Sequence, residues 1–477
     1  MNKNLTLSPD EMRKLGYEVI DMITEHFETL SEKPVLTIAT PAKLKAHLDS
    51  TLPEHPMAID KVLSIVRDHI LGNISHGDHP RFFAFVPGPS NFVGAMADAM
   101  AAGFNVCASN WLEASGPAEI ERITIKWLSD LCGFPDEAGG TFVSGGSMAN
   151  LTAIAVARQV ILGHPDPRAL VYYADQTHIS VFRGLRVLGF AAEQLRQIST
   201  DANFKMDLTV LDKQISEDEQ NGFRPFCVIA NAGTTNTGAV DPLRKISKIC
   251  ETKGMWLHVD GAYGAGSILS ERGRKQLDGI ELANSVTIDP HKWLFQPIES
   301  GCLLVRDRKW LRHTFDVSPE YLSDVDAKDE EINFYQQGVQ LTRQTRALKL
   351  WMSLKVFGAE AFRSAIEQGF SNAEYVEAKI VTMKDWEIIT PATLGVVTFR
   401  LSQTGLTLSA ANELNQLIAD QLSESKVAFI ATTVLKGVKA LRMCPINPRT
   451  TQEDLDGTMR KLEDLGQTLA SVAKIKN

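Results

Sequence analysis

The chain has 477 residues, of which 44% are hydrophobic and 22% charged, as in ordinary soluble globular proteins. Its net charge of −9 and its pI of about 5.7 argue against a nucleic-acid or anionic-membrane partner, since no basic block stands out. This length suggests roughly two to three domains and permits a large buried core.

The six cysteines are scattered, mostly in apolar stretches, and no CxxC spacing occurs. We therefore predict free thiols in a reducing compartment and no metal site. Residues 1–15 contain no apolar signal-peptide core. The nearest approach to a bilayer-spanning run, residues 95–108, contains Asp98 and Asn105. We therefore expect a cytoplasmic protein.

Ser8 and Pro9 begin the first predicted helix, because a serine cap followed by proline and acidic residues is typical of a helix start. Apolar residues recur behind them at helical spacing, and a second helix is expected near residues 57–71. Such a pair of helices cannot bury its own apolar faces. Residues 1–84 are therefore predicted to form a helical dimerisation segment that lies on another domain or subunit.

From residue 85 onward, short apolar strands alternate with helical segments. This alternation predicts a parallel sheet covered by helices on both faces, with ligands bound at the carboxyl ends of the strands. The large domain is predicted at 85–375. Its strands are predicted at 141–143, 169–173, 226–230, 256–260 and 285–288, and its helices at 148–162 and 341–357.

A smaller C-terminal α/β domain is predicted at 376–477. Alternating apolar residues there indicate strands, and 3.6-residue periodicity indicates helices. The predicted elements are strands at 395–401, 427–432 and 440–444, and helices at 408–423 and from residue 452 onward.

Two stretches at predicted strand ends suggest a binding site. Residues 144–150 (SGGSMAN) open a helix, where free backbone N–H groups bind phosphate and glycine permits close approach; the P-loop pattern is absent. Residues 289–293 (DPHKW) place Lys292 at a proline-fixed corner. A lysine beside another potential cation, in apolar surroundings, can bind an aldehyde as a Schiff base. Alone, each stretch also fits an ordinary turn.

Asp260 ends one of the other predicted strands, and His178 follows another. Asp260 either caps the next turn or pairs with a buried cation such as a pyridinium nitrogen, and Gly261 and Ala262 would let a flat ring lie against the backbone. His178 could stack on that ring, although a single histidine is more often structural. Together, a phosphate cradle, a pyridinium partner, a stacking histidine and a Schiff-base lysine match the needs of pyridoxal 5′-phosphate (PLP).

The chain resembles the group II PLP-dependent decarboxylases, which include the aromatic-L-amino-acid and glutamate decarboxylases. The resemblance implies fold type I, the aspartate aminotransferase-like fold, and a homodimer with active sites at the subunit interface. It also implies loss of CO₂ from an L-amino acid to give the amine. The resemblance spans nearly the whole chain and rests on HPRFFAF (79–85), GGSMAN (145–150), DQTHIS (175–180), AGTTNTGAVDP (232–242), HVDGAYG (258–264), DPHKW (289–293) and SPEYL (318–322).

The resemblance also implies roles for individual residues. Lys292 would bind the aldehyde of the cofactor, Asp260 would pair with its pyridine nitrogen, and His178 would stack on its ring, with Ala262 on the other face. The residues implied to hold the phosphate or line the site are Gly146, Ser147, His291, Thr234 and Thr235, with Asp289 or Ser285 near the phosphate.

Residues 318–331 form a charged, irregular stretch that predicts a mobile loop. Tyr321 aligns with the catalytic-loop tyrosine of the family and is predicted to donate a proton to Cα when the loop closes and excludes water. Related aldehyde synthases, which couple decarboxylation to oxidative deamination, typically have phenylalanine at this position. Tyr321 therefore favours simple decarboxylation.

The substrate side chain is less clearly indicated. Phe82 and Trp111 lie in the region that resembles an aromatic substrate pocket, but Gly77, Arg81 and Ser109 replace residues that are usually bulky. Arg81 would either bind a substrate carboxylate or make a structural contact. We predict an aromatic L-amino acid, with glutamate, aspartate and 2,4-diaminobutyrate as alternatives. Further candidates for substrate contact are His76, His79 and Arg449.

A non-catalytic dimer that keeps the fold is the competing hypothesis, because a fold alone does not establish an activity. A scaffold would need none of the predicted site residues in combination. The joint presence of Lys292, Asp260, His178 and Tyr321 therefore favours an enzyme.

Overall fold

The computed structural model describes residues 5–317 and 330–476, with side chains described up to residue 471. The helices are α1 (Pro9–Thr29), α2 (Pro41–Leu48), α3 (Ile59–Ile65), α4 (Phe92–Gly103), α5 (Trp111–Leu131), α6 (Gly146–Leu162), α7 (Ile179–Val187), α8 (Leu208–Gln220), α9 (Leu243–Lys253), α10 (Glu271–Gln276), α11 (Lys309–Phe315), α12 (Ala347–Thr382), α13 (Leu408–Glu424) and α14 (Gln452–Lys476). The strands are β1 (Gly139–Val143), β2 (Ala169–Ala174), β3 (Leu195–Ile198), β4 (Arg224–Asn231), β5 (Trp256–Asp260), β6 (Ser285–Ile288), β7 (Gly301–Val305), β8 (Trp386–Thr393), β9 (Val396–Leu401), β10 (Ala431–Leu435) and β11 (Val438–Met443).

The N-terminal helices begin with polar caps. Ser8 Oγ accepts the Glu11 N–H while the Glu11 carboxylate accepts the Ser8 N–H, which confirms the predicted start of α1. The second predicted helix corresponds to α3, which continues as a π-helical turn over Val66–Ile70. The sequence analysis missed α2, although Thr40 and Pro41 repeat the same start signal. No residue of α1 is buried in the chain.

Seven described strands form the central sheet, in the order β1-β7-β6-β5-β4-β2-β3. Strands β3, β2, β4, β5 and β6 run parallel, whereas β7 is antiparallel to both of its neighbours. The prediction of a mostly parallel sheet is therefore confirmed. The sequence analysis missed β7 because no helix separates it from β6, so it breaks the alternation of strands and helices on which the prediction relied.

Both faces of this sheet are buried, as expected for a parallel sheet inside two helical layers. Strand β2 shows the two-residue period: Leu170 and Tyr172 join one apolar cluster, while Val171 and Tyr173 join the other. The first cluster includes side chains from α5, α8, α9 and α12. The second includes side chains from α6, α7 and α11. The carboxyl ends of the strands are left open for a site.

A smaller antiparallel sheet, in the order β10-β11-β9-β8, packs against α13, α14 and the end of α12. This unit is the small C-terminal domain that the sequence predicts, although the strand predicted at 427–432 begins only at Ala431 and β8 was missed. Helix α12 crosses the predicted domain boundary at 375/376 and contains one non-helical residue, Gly358, with φ of 76°. The domain boundaries therefore stay predictions.

All six cysteines are free thiols, and five of them are buried, as the sequence predicts. Across the described residues, we find no helix that combines the length and apolar character needed to traverse a bilayer.

Candidate active site

A cavity of about 340 Å³ lies at the carboxyl ends of the parallel strands. It collects side chains that are far apart in sequence, because β5 and β6 end there and α6 and α7 begin there. The predicted cofactor-site residues that line it are Gly146, Ser147, His178, Thr234, Thr235, Asp260, Ala262, Asp289, His291 and Lys292.

The phosphate end of the cavity is the start of α6. Its first backbone N–H groups have no partner within the helix, and its dipole favours an anion there. A Cβ added to Gly146 would lie 2.9 Å from both Ala262 Cβ and Asp289 Oδ2, so only glycine leaves this cradle open. His291 lies beside this cradle, because a Cβ added to Gly145 would lie 3.6 Å from its Cε1. Its Nδ1 is 2.6 Å from the Ser300 carbonyl oxygen, and burial lowers its pKa.

Ser285 does not belong to this end of the cavity. It is fully buried at the start of β6, and its Oγ lies 2.9 Å from Trp256 Nε1 and 2.8 Å from His258 Nδ1. The sequence analysis placed Ser285 or Asp289 near the phosphate, and of these two only Asp289 lines the cavity.

Lys292 follows β6 in a turn closed by its own N–H, which donates to the Asp289 carbonyl over 3.0 Å. Its Nζ forms an ion pair with Asp289 Oδ2 at 2.8 Å. The other carboxylate oxygen of Asp289 is buried and accepts no hydrogen bond from the described residues. Asp289 thus holds the lysine at the cavity wall and retains an unused acceptor there.

Asp260 and His178 lie on neighbouring walls of the cavity. Asp260 is 7% exposed, and its carboxylate accepts the Ala262 N–H over 3.1 Å and the Asn150 side-chain amide over 2.8 Å. His178 caps α7, where its Nδ1 accepts the Ser180 N–H over 3.3 Å. Burial lowers the pKa of His178, and a neutral imidazole can stack on a flat ring.

The predicted substrate residues do not line this cavity. Phe82 is buried against Phe429, with ring centroids 5.4 Å apart. The backbone N–H of Trp111 donates to Asn333 Oδ1 over 2.9 Å at the start of α5. Arg449 donates to the Ser90 carbonyl over 2.6 Å.

Each of the three nitrogens of the Arg81 guanidinium donates to an acceptor of its own chain. It donates to Asp454 over 3.0 Å and to the carbonyls of Val427 and Ser31 over 2.7 and 3.1 Å. Of the two roles that the sequence left open, these contacts favour the structural one. His79 is structural as well: it is fully buried between the Arg81 N–H and the Lys33 carbonyl, and burial lowers its pKa to about 4.

Tyr321, the predicted proton donor, lies outside the described residues. The sequence analysis gave no role to several residues that do line the cavity: Gln176, Ser180, Asn231, Gly233 and Tyr263. Asn231 had a detectable signal, because it directly follows the strand predicted at 226–230; in the structure it pairs with Asp260 in the parallel register.

Comparisons with known proteins agree with this geometry. The family model described as the pyridoxal-dependent decarboxylase conserved domain matches residues 41–402. An aromatic-L-amino-acid decarboxylase of Bacillus atrophaeus is 47% identical over 472 residues, covering 98% of each chain. A phenylacetaldehyde synthase of Petunia hybrida is 31% identical and covers 94% of this chain and 93% of that one. The crystal structure of Oryza sativa TDC with PLP and tryptamine has a TM-score of 0.92 at 26% identity, covering 98% of this chain and 100% of that one.

These findings confirm the predicted fold type, cofactor and enzyme class. The open cradle at Gly146, the lysine at the cavity wall and the buried carboxylate of Asp260 fit a phosphorylated pyridine aldehyde. Because the family model covers most of the chain, the protein belongs to the pyridoxal-dependent decarboxylase family and is a PLP-dependent amino acid decarboxylase.

Proposed function

We propose that this enzyme converts an aromatic L-amino acid into the corresponding amine and CO₂. The observation that carries the proposal is the 47% identity, over 98% of both chains, to an aromatic-L-amino-acid decarboxylase. The contacts of Arg81 support it, because the cation that would most readily have selected an acidic substrate already donates from all three guanidinium nitrogens to its own chain.

The residues that would hold PLP follow from the cavity. Gly146, Ser147 and His291 would hold the phosphate at the start of α6. Lys292 would bind the aldehyde, and Asp260 would face the ring nitrogen. When bound, PLP supplies a protonated pyridine ring that accepts the electrons released as CO₂ leaves.

The protein's own contribution is electrostatic and geometric. Asp260 accepts two hydrogen bonds, which fix the position of its side chain in the cavity wall that would face the ring nitrogen. Asp289 lies 2.8 Å from Lys292 Nζ and can receive the ammonium whenever the lysine is not covalently engaged. His178 and Ala262 lie on the cavity walls and would restrict the ring to one plane. Tyr321 remains the proposed donor of the proton to Cα.

We further propose that the enzyme is a cytoplasmic homodimer, with residues 1–84 as the dimerisation segment. Helix α1 has no buried residue and exposes Met12 and Tyr17. The segment after residue 84 exposes Phe85, Phe104 and Leu112 by 61, 83 and 71%. Large apolar side chains at this density are typical of a surface that a partner covers, and a second copy of the chain is the proposed partner.

One experiment tests the substrate proposal. The purified enzyme, supplied with PLP, is incubated with a mixture of the common amino acids and 2,4-diaminobutyrate, and the amines are identified by mass spectrometry. We expect phenylethylamine-type or indole-ethylamine products. Release of γ-aminobutyrate, β-alanine or 1,3-diaminopropane alone would refute an aromatic substrate, and aldehydes with hydrogen peroxide would indicate an aldehyde synthase.

A further inference from the structure

A single buried amide, Asn150 on α6, joins the two cavity walls that carry Asp260 and His178. Its side chain is 1% exposed. Its Nδ2 lies 2.8 Å from Asp260 Oδ2 and 3.1 Å from Ser180 Oγ, and its Oδ1 lies 2.7 Å from Thr287 Oγ1 and 3.0 Å from His258 Nε2. Four elements, α6, β5, β6 and α7, therefore meet at one side chain.

The direction of each hydrogen bond on the Oδ1 side follows from chemistry. The Trp256 indole N–H can only donate, so Ser285 Oγ accepts it. We assign the Ser285 hydroxyl hydrogen to His258 Nδ1, the arrangement that leaves the imidazole hydrogen on Nε2 for Asn150 Oδ1. Burial lowers the pKa of the fully enclosed His258 to about 4, so its ring is neutral and carries its hydrogen on Nε2. This Nε2–H donates to Asn150 Oδ1.

The Nδ2 side is then determined as well. The two amide hydrogens of Asn150 point to the Asp260 carboxylate and to Ser180 Oγ. The Ser180 hydroxyl in turn donates to His178 Nδ1 over 2.9 Å, so a neutral His178 carries its hydrogen on Nε2. A reversed amide would place an oxygen against the carboxylate, which is unfavourable.

We propose that Asn150 is a positioning residue that orients the Asp260 carboxyl group and fixes the tautomer of His178. The inference deepens the proposed function, because it rests on the roles of Asp260 and His178 toward PLP. It predicts that cofactor affinity depends on an amide that lines neither the phosphate cradle nor the lysine wall. The other charged groups that act on His178 are Lys292, Asp289 and Arg183.

Asn150→Asp provides the sharpest test, because it keeps the shape and Oδ1 but replaces the donor with an oxygen. Two carboxylates would then meet across the 2.8 Å now spanned by a hydrogen bond. At low pH a shared proton restores a donor toward Asp260, and at high pH its loss leaves two repelling charges. We expect the Kd for PLP, relative to wild type at the same pH, to rise about 10- to 100-fold at pH 8 and to return to within about threefold at pH 5.

Two further variants separate this effect from loss of packing. Asn150→Ala cannot share a proton, so its Kd ratio to wild type should be raised but independent of pH. Thr287→Val is isosteric and removes one of the two donors that orient Oδ1, so it should weaken PLP binding severalfold in a folded protein. Asn415→Ala is the matched control: this amide is also fully buried, but it binds backbone of the small domain, and its loss should lower the thermal midpoint only.

The readouts are the Kd from titration with PLP, the absorbance band of the bound cofactor and the thermal midpoint without PLP. A pH-dependent ratio for Asn150→Asp with a flat ratio for Asn150→Ala supports the inference. The inference is overturned if Asn150→Asp binds PLP with wild-type affinity at pH 8. It is also overturned if the Kd ratio to wild type is independent of pH in both Asn150 variants and their only defect is a lowered thermal midpoint, as in Asn415→Ala. If the wild-type chain itself binds no PLP, the proposed function fails and the inference fails with it.

Discussion

The buried ion pair Glu121–Arg343 closes the outer edge of the central sheet at the strand that leads to the phosphate cradle. The Phe142 N–H on edge strand β1 donates to Glu121 over 2.8 Å, and the Phe142 carbonyl accepts from Arg343 over 2.8 Å. The two charged side chains are joined at 2.6 Å and are 0 and 2% exposed. The pair thus provides hydrogen-bond partners for the backbone N–H and carbonyl of Phe142 on the free edge of β1, three residues before Gly145.

Glu121→Gln should therefore be strongly destabilising. The glutamine keeps the shape of the side chain but leaves the Arg343 guanidinium buried without a counter-charge, and its NH₂ group must face a donor. Breaking a buried pair in this way costs about 3–5 kcal/mol. The matched control is Glu217→Gln, which removes an exposed pair with Lys213 at 3.7 Å and should cost about 0–1 kcal/mol.

The assay is urea unfolding at one protein concentration, with and without saturating PLP, because ligand and oligomerisation both change apparent stability. We expect a large fall in the urea midpoint for Glu121→Gln and almost none for Glu217→Gln. The Kd for PLP should also rise in Glu121→Gln, since β1 positions the cradle. Equal midpoints for the two variants would refute the view that this pair holds the sheet edge.

Lys292→Ala should abolish both the absorbance band of bound cofactor and amine formation, whereas the exposed Lys275→Ala should change neither; a retained band would exclude Lys292 as the attachment point. Tyr321→Phe should convert amine production, at the expense of O₂, into aldehyde, ammonia and hydrogen peroxide, and amine release at the wild-type rate would remove Tyr321 from the mechanism. Buried His79 and His258 have pKa values lowered to about 4, against about 6.5 in an unfolded chain. The unfolded chain therefore binds more protons between these values, so stability should fall as the pH drops from 6.5 to 4, and less steeply in His258→Gln; an unchanged slope in urea midpoints would contradict this linkage.

The sequence predicted the cavity well because parallel topology gathers strand ends at one edge. Asp260 ends one apolar strand and Lys292 follows the neighbouring one, so predicting the strands already placed both residues at the same edge. The glycines at 145 and 146 could be interpreted in the same way, since they cap and begin α6 directly after β1. Each of these residues is recognised from its own short stretch of sequence. The fold class alone then predicts that the stretches meet at one edge of the sheet.

The substrate residues were harder to predict because the motif HPRFFAF does not state which face each side chain takes. In the structure Phe82 and Ala84 pack in one small cluster and Phe83 in the core of the C-terminal domain. The exposed aromatic of this motif is Phe85, 61% exposed at a φ of 47°, which the sequence analysis did not single out. In an irregular segment, the neighbours in space decide which side chains are buried and which are exposed. Residues 82–85 contact elements more than 300 residues away, so their sequence alone does not indicate this burial.

Asn150 marks the limit of prediction from sequence most clearly. It was part of a motif used for its glycines, and nothing in that motif indicates that its amide binds residues 30, 108, 110 and 137 positions away. Each partner alone is an ordinary polar residue near the end of a strand or the start of a helix. When β5, β6 and α7 pack against α6, these partners surround the Asn150 amide, and their donors and acceptors then suit only one orientation of it. A reactive carboxyl group can be predicted from its place in the sequence, but the groups that orient it are found only in the folded chain.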